Sequence, residues 1–100
     1  MTRRLIVTSE AEADIARAVL WYEDRQHGLG QEVLSEIRRA ISRALENPEA
    51  FTRLREHPDV HRVLVHRFPY RLFYILGDKT LVVFAVLHAA RDERHWMLRV

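Results

Sequence analysis

His88 and Arg91, separated by two alanines, are the pair of residues in this chain best suited to chemistry. Imidazole titrates near neutrality, so His88 can give or take a proton under ordinary conditions. A guanidinium grips phosphate or carboxylate oxygens in a fork, a role open to Arg91. With Arg62 and Arg67 added, the set has the parts of an RNA-cleaving centre. These are a base for the ribose 2′-hydroxyl, an acid for the leaving oxygen, and cations for the crowded phosphate. Trp96 or a tyrosine would stack on a base. A structural reading stands beside this one: His88 bonded to a carbonyl at a strand end, and Arg91 bridged to Asp92, Glu93 or Asp78.

Other chemistries lack their residues. The chain has no cysteine, which removes disulfides, thiol catalysis and thiolate metal sites and fits a reducing compartment. His57 and His61 have i,i+4 spacing, but Pro58 between them argues against a shared helix, and no clustered carboxylates complete a metal site. Three glycines form no phosphate loop. Ser9, Ser35 and Ser42 fall at a helix cap or inside helices, away from any nucleophile elbow. No metal and no cofactor is expected.

The elements that must position His88 and Arg91 follow from periodicity. Arg4 to Thr8 predicts an opening strand. Ser9-Glu10-Ala11-Glu12 reads as a capping box, with Ser9 as the cap. Ala11, Ile15, Ala18 and Tyr22 then line one face of a helix that Gly28 stops. Trp21 lies off that stripe, as a flank over the core or a contact for a partner. Val33, Ile37, Ala40, Ile41 and Ala44 mark a second helix ended by Asn47-Pro48, and the short junction makes the two an antiparallel hairpin. An HTH reading fails, because strands follow the pair and its polar faces mix charges.

Residues 48–59 read as a surface connection. Val60 to His66 predicts a strand, Tyr70 to Leu76 a central strand, and Leu81 to His88 the most apolar strand. Gly77-Asp78-Lys79 makes the turn between the last two, its glycine meeting a need for unusual φ. Strict alternation puts Val82, Phe84, Val86 and His88 on one face, and Leu81, Val83, Ala85 and Leu87 on the other. On an open or grooved face, Arg62, His66 and Arg67 would converge on His88 and Arg91. Arg91 to Trp96 predicts one helical turn, and Met97 to Val100 a tail. The fold class is α+β in the order β-α-α-β-β-β: an antiparallel meander with an N-terminal strand, and a helix hairpin on one face.

Residues 1–100 form a single domain on this reading. Hydrophobic residues at 48% and charged residues at 30% are a globular balance. The start has no signal-peptide pattern and no apolar run approaches bilayer length, so a soluble cytoplasmic domain is expected. The net charge of +2 conceals an asymmetry: residues 1–50 carry 7 basic and 9 acidic side chains, residues 51–100 carry 9 and 5. The basic half suits an anionic partner, either nucleic acid or an acidic polypeptide. A solvated, arginine-rich surface gives the same totals.

The order and spacing of several short pieces resemble the RelE/ParE superfamily of type II toxin–antitoxin toxins. These are Ala13-Asp14-Ile15 with Trp21-Tyr22, Gly28-Leu29-Gly30, Asn47-Pro48, Val60-His61-Arg62, Arg67-Phe68-Pro69-Tyr70 with Phe73-Tyr74, and His88-Ala89-Ala90-Arg91-Asp92 with Trp96. The resemblance covers nearly the whole chain and implies a growth-inhibiting toxin held in a hetero-oligomer by a small antitoxin. RelE-like members cleave mRNA on the ribosome, whereas ParE-like members poison DNA gyrase. The chain leans towards ParE: its one lysine is in a turn, its tail has no tyrosine, and its helical hairpin with Gly-Leu-Gly is long.

The resemblance thus implies a ParE-like inhibitor of gyrase or another essential target, neutralised by a ParD-like antitoxin. A RelE-like endoribonuclease using His88 and Arg91 is the alternative, and an inactive antitoxin-binding module is a second one. Arg62, Arg67 and Trp96 are then the candidates for target or phosphate contact, and Trp21 and Arg71 for antitoxin contact.

Overall fold

The computed structural model describes residues 3–90 and 93–100. Within them the chain forms β1 (Arg4–Val7), α1 (Ser9–Arg25), α2 (Leu29–Glu46), β2 (Thr52–Arg53), β3 (Val60–Leu64), β4 (Tyr70–Leu76), β5 (Thr80–His88) and a C-terminal 3₁₀ helix (Glu93–Arg99). The sheet of the described residues has the order β1-β5-β4-β3-β2. β1 runs parallel to β5, and the remaining neighbours are antiparallel. The α+β meander is therefore present, with one strand more than the sequence indicates. β2 lies within the stretch read as a connection; two residues are too few for periodicity to reveal.

The cap of α1 is one residue earlier than expected. Thr8, in extended conformation, accepts the Ala11 N–H through its hydroxyl at 3.2 Å, while Ser9 is already helical. Gly28 adopts φ 89°, but it precedes α2 rather than terminating α1, whose last cap is Gln26. Glu23 completes the junction: its carboxylate accepts the backbone N–H of Gly28 (3.1 Å) and of Gly30 (3.0 Å). These bonds hold the Glu23 carboxyl below its usual pKa. Gly30 permits the close helix crossing, since a Cβ there would lie 3.0 Å from the Val19 carbonyl oxygen.

Ala11, Ala18, Val33, Ile37, Ala40 and Ala44 pack on Val63, Leu72, Tyr74, Leu81, Val83 and Val86 to form the principal core. Each large aliphatic side chain fully buried there contributes about 1.5–3 kcal/mol. The opposite face of the sheet has its own cluster, in which Leu54, Val60, Phe73, Phe84, Ala85 and Leu87 are covered by Trp96. At the β4–β5 turn, Gly77 has no positive φ. Its lack of a Cβ instead makes room for the Thr80 hydroxyl.

The departure with the most consequence is in β5. Pairing runs from Leu76↔Leu81 to Tyr74↔Val83, then shifts so that Phe73 faces Ala85. Phe84 is the extra residue of a β-bulge, and the alternation of faces reverses across it. Leu81 and Val83 before the bulge share the helix face with Val86 after it, while Phe84, Ala85 and Leu87 lie on the other. Strict alternation over 81–88 is thereby corrected.

Candidate functional site

The bulge decides where the sequence-predicted residues go. His88 pairs with Tyr70, whose ring is in the helix-side core, and the two rings meet edge to face at 5.4 Å. Its Nδ1 accepts the Ala90 N–H at 3.1 Å, which leaves Nε2 as the protonated nitrogen of a neutral ring. Arg91 and Asp92 lie outside the described residues.

Arg62 and Arg71 face the other way. Arg62 is opposite Phe73, and Arg71 opposite Leu87, so both share the face whose apolar cluster holds those two side chains. Each is half-buried and engaged with neighbours. Arg67 adopts a left-handed φ of 72° and reaches α2, where Glu32 accepts from it at 2.7 Å and Glu36 lies at 4.0 Å. These carboxylates, above all the Glu32 hydrogen bond, raise its pKa further. His66 meets Arg43 of α2. The expected convergence of Arg62, His66 and Arg67 on His88 is thus not formed: Arg67 and His66 contact α2, and Arg62 is across the sheet from His88.

Trp96 is corrected too. It is only 4% exposed and stacks on Phe73 at 5.9 Å, so its ring closes the second core rather than offering a platform for a base. Trp21 remains at the surface, 38% exposed, with the Arg25 guanidinium 3.5 Å above its ring.

Two residues outside the sequence-predicted site organise this end of the molecule. β1 ends at Val7, and beyond it the edge of β5 is completed by side chains. Asp14 of α1 accepts the Val86 N–H at 2.9 Å, and Arg99 of the 3₁₀ helix donates to the Phe84 carbonyl at 3.1 Å. The two also pair with each other at 2.6 and 3.1 Å, and Arg17 donates to Asp14 at 2.5 Å. The Asp14 hydrogen bond raises the pKa of Arg99, although partial burial opposes it. Asp14 falls on the apolar stripe of α1 between Ala11 and Ala18, and a lone acid in that position was the available signal. Arg99 carries none, because its partner is 85 residues away.

Around this clasp lies a cleft of about 440 Å³ lined by Trp21, Tyr70, Val86 and Leu87, with Arg17, His95 and Arg99 also in its wall. Two guanidiniums share the single Asp14 carboxylate, so the cleft combines aromatic surface with a basic rim. Such a wall suits an acidic amphipathic segment. Among the described residues no group of His, Asp and Glu is placed to hold a metal ion.

A family model described as the ParE toxin of type II toxin–antitoxin systems, parDE, matches residues 5–93. No curated protein matches the sequence significantly. Among solved structures, a chain of the chromosomal ParDE toxin–antitoxin system from P. aeruginosa is similar at TM-score 0.74 and 17% identity, over 87% of this chain and 96% of that one. A mutant of the E. coli toxin RelE in the free state gives TM-score 0.73 at 24% identity, over 100% and 99%. A chain of the intact E. coli RelBE toxin–antitoxin complex gives 0.66 at 26%, over 89% and 99%.

Proposed function

The chain belongs to the ParE toxin family of type II toxin–antitoxin systems, and we propose that it acts by binding its target rather than by cutting RNA. In this reading it is a ParE-like toxin that inhibits DNA gyrase or another essential cytoplasmic machine until a ParD-like antitoxin neutralises it. One observation carries the preference. The Phe84 bulge puts His88 on the helix side of the sheet, opposite the face that carries Arg62 and Arg71. A proton-transfer group must lie within hydrogen-bond reach of the atom it serves while cations hold the same phosphate. Arg62 and Arg71 are thus turned away from any phosphate that His88 could serve. The antitoxin contact is assigned to the cleft edge at Trp21, and Arg71 offers a second contact on the outer face.

The test adds purified toxin to gyrase with supercoiled DNA and, in parallel, to programmed ribosomes. Accumulation of gyrase-cleaved DNA with intact mRNA is the expected result. A cut in the ribosome-bound message that disappears in His88→Ala would overturn the proposal in favour of the RelE-like alternative. A wild-type chain that is harmless without antitoxin, yet still captures it, would point to the inactive binding module.

A further inference from the structure

The Asp14 clasp holds one cation more than the carboxylate needs. Arg99 spans both Asp14 oxygens, at 2.6 Å on Oδ2 and 3.1 Å on Oδ1, and the Val86 N–H adds a further bond to Oδ2. That fork by itself neutralises the buried carboxylate. Arg17 then brings a second guanidinium through one bond to Oδ1, with its side chain 67% exposed. Two cations against one anion leave a positive charge at the cleft mouth, and Arg17, the more exposed of the two, carries it.

Trp21 and Arg25 follow Arg17 at i+4 and i+8, so the three form one row along α1. Arg17 and Trp21 line the cleft, and the Arg25 guanidinium lies 3.5 Å over the Trp21 ring. The row reads basic, apolar, basic over about 12 Å of helix. The neighbouring carboxylates of α1 lie outside it. Glu10 is one turn before Asp14, where it acts on Arg99 through space. Helical spacing turns the exposed Asp24 to the side of Trp21 opposite the cleft residue Ala18.

Two other occupants fit less well. An extended strand would need the open edge of β5, but Asp14 and Arg99 already hold the Val86 N–H and the Phe84 carbonyl there. A nucleic-acid base would need a face of Trp21. The Arg25 guanidinium covers one, and Tyr22 meets the ring edge to face at 4.9 Å.

We propose that the cleft receives an amphipathic helix of a partner protein, with two carboxylates about two turns apart and an aliphatic side chain between them. The carboxylates bond Arg17 and Arg25, the aliphatic side chain packs on Trp21 and Tyr70, and Arg99 stays on Asp14. This rests on the antitoxin contact being at this cleft edge, and it names the side chains that the antitoxin brings.

The full chain would be titrated calorimetrically with a synthetic helical peptide bearing glutamates two turns apart and leucine between them. Saturable binding is expected, weakened about tenfold when the glutamates are replaced by glutamine or set a single turn apart. Arg17→Met keeps the aliphatic stem and leaves Asp14 paired with Arg99, and should weaken binding about tenfold. Arg25→Met, at an exposed position, keeps the test valid if Arg17→Met does not fold, and should weaken binding severalfold. No saturable binding, equal affinity for the three peptides, or unchanged affinity in both variants would overturn the proposal. So would tighter binding of a single-stranded RNA oligonucleotide that Arg17→Met abolishes. Co-expression of the same variants with the cognate antitoxin distinguishes failure of the row from failure of the site. Capture weakened by Trp21→Ala but by neither arginine variant would overturn the helix pattern and keep the antitoxin site; capture indifferent to Trp21→Ala as well would remove both.

Discussion

Asp14 is the side chain whose loss should be felt most. It is buried, it accepts from two arginines and from the Val86 N–H, and its removal leaves the Arg99 guanidinium without its counter-charge and the Val86 N–H without its acceptor. Asp14→Ala is expected to cost about 3 kcal/mol, read from the midpoint of urea unfolding. Arg99→Met should cost less, because Arg17 continues to neutralise Asp14. Glu23 makes a pH-dependent contribution. Its folded pKa lies below the unfolded value of 4.5, so its stabilisation is complete above that value and is lost as pH falls through the folded pKa. The difference in melting temperature between wild type and Glu23→Ala should therefore be constant above about pH 5.5 and shrink steadily below it. Tyr74 has the opposite sign. Its hydroxyl bonds the Pro48 carbonyl, and burial pushes its pKa from 10.0 up to about 12. Its contribution is full below pH 10 and is lost as pH rises towards 12, a loss that Tyr74→Phe should not show.

At the scale of elements, the helix hairpin and the bulge are the two devices that set the site. Gly30→Ala forces a methyl against the Val19 carbonyl oxygen, a backbone atom that cannot step aside. A loss of roughly 1–3 kcal/mol is expected from that overpacking, measured by chemical unfolding, with a larger effect than Gly77→Ala. At Gly77 the nearest neighbour is the Thr80 side chain, which can rotate away. Trp96→Ala should cost about 3–5 kcal/mol through the cavity left over Phe73, a result that calorimetry of the variant checks. The helices were legible because their apolar repeats are long: Val33, Ile37, Ala40 and Ala44 are all buried. The face assignment on β5 was not, because one extra residue at Phe84 reverses every side chain after it, and a sequence of apolar residues on both faces does not show where the slip occurs.

For the whole molecule, one end of the sheet holds the Asp14–Arg99 clasp, Trp21 and the basic cleft. If this end receives the antitoxin, Trp21→Ala should lower antitoxin affinity by about tenfold or more while leaving the fold unchanged, as measured by calorimetric titration. Toxicity of His88→Ala equal to wild type would fit action by binding; a loss of toxicity with the fold intact would not.

The sequence by itself determined the α+β class, the helix hairpin, the meander and the family resemblance, because those depend on periods of a few residues and on punctuation by glycine and proline. Only the tertiary structure decided what His88 could be. His88 is placed by a bulge four positions earlier and by pairing with Tyr70, while Arg67 is drawn off by Glu32 and Glu36 and Arg62 is turned to the far face. Asp14, marked along the chain only as a lone acid on an apolar stripe, and Arg99, not marked at all, meet across 85 residues because each completes a hydrogen-bond edge that β1 leaves open. Which groups share a face is a sum over every residue between them, and one slip in register changes that sum.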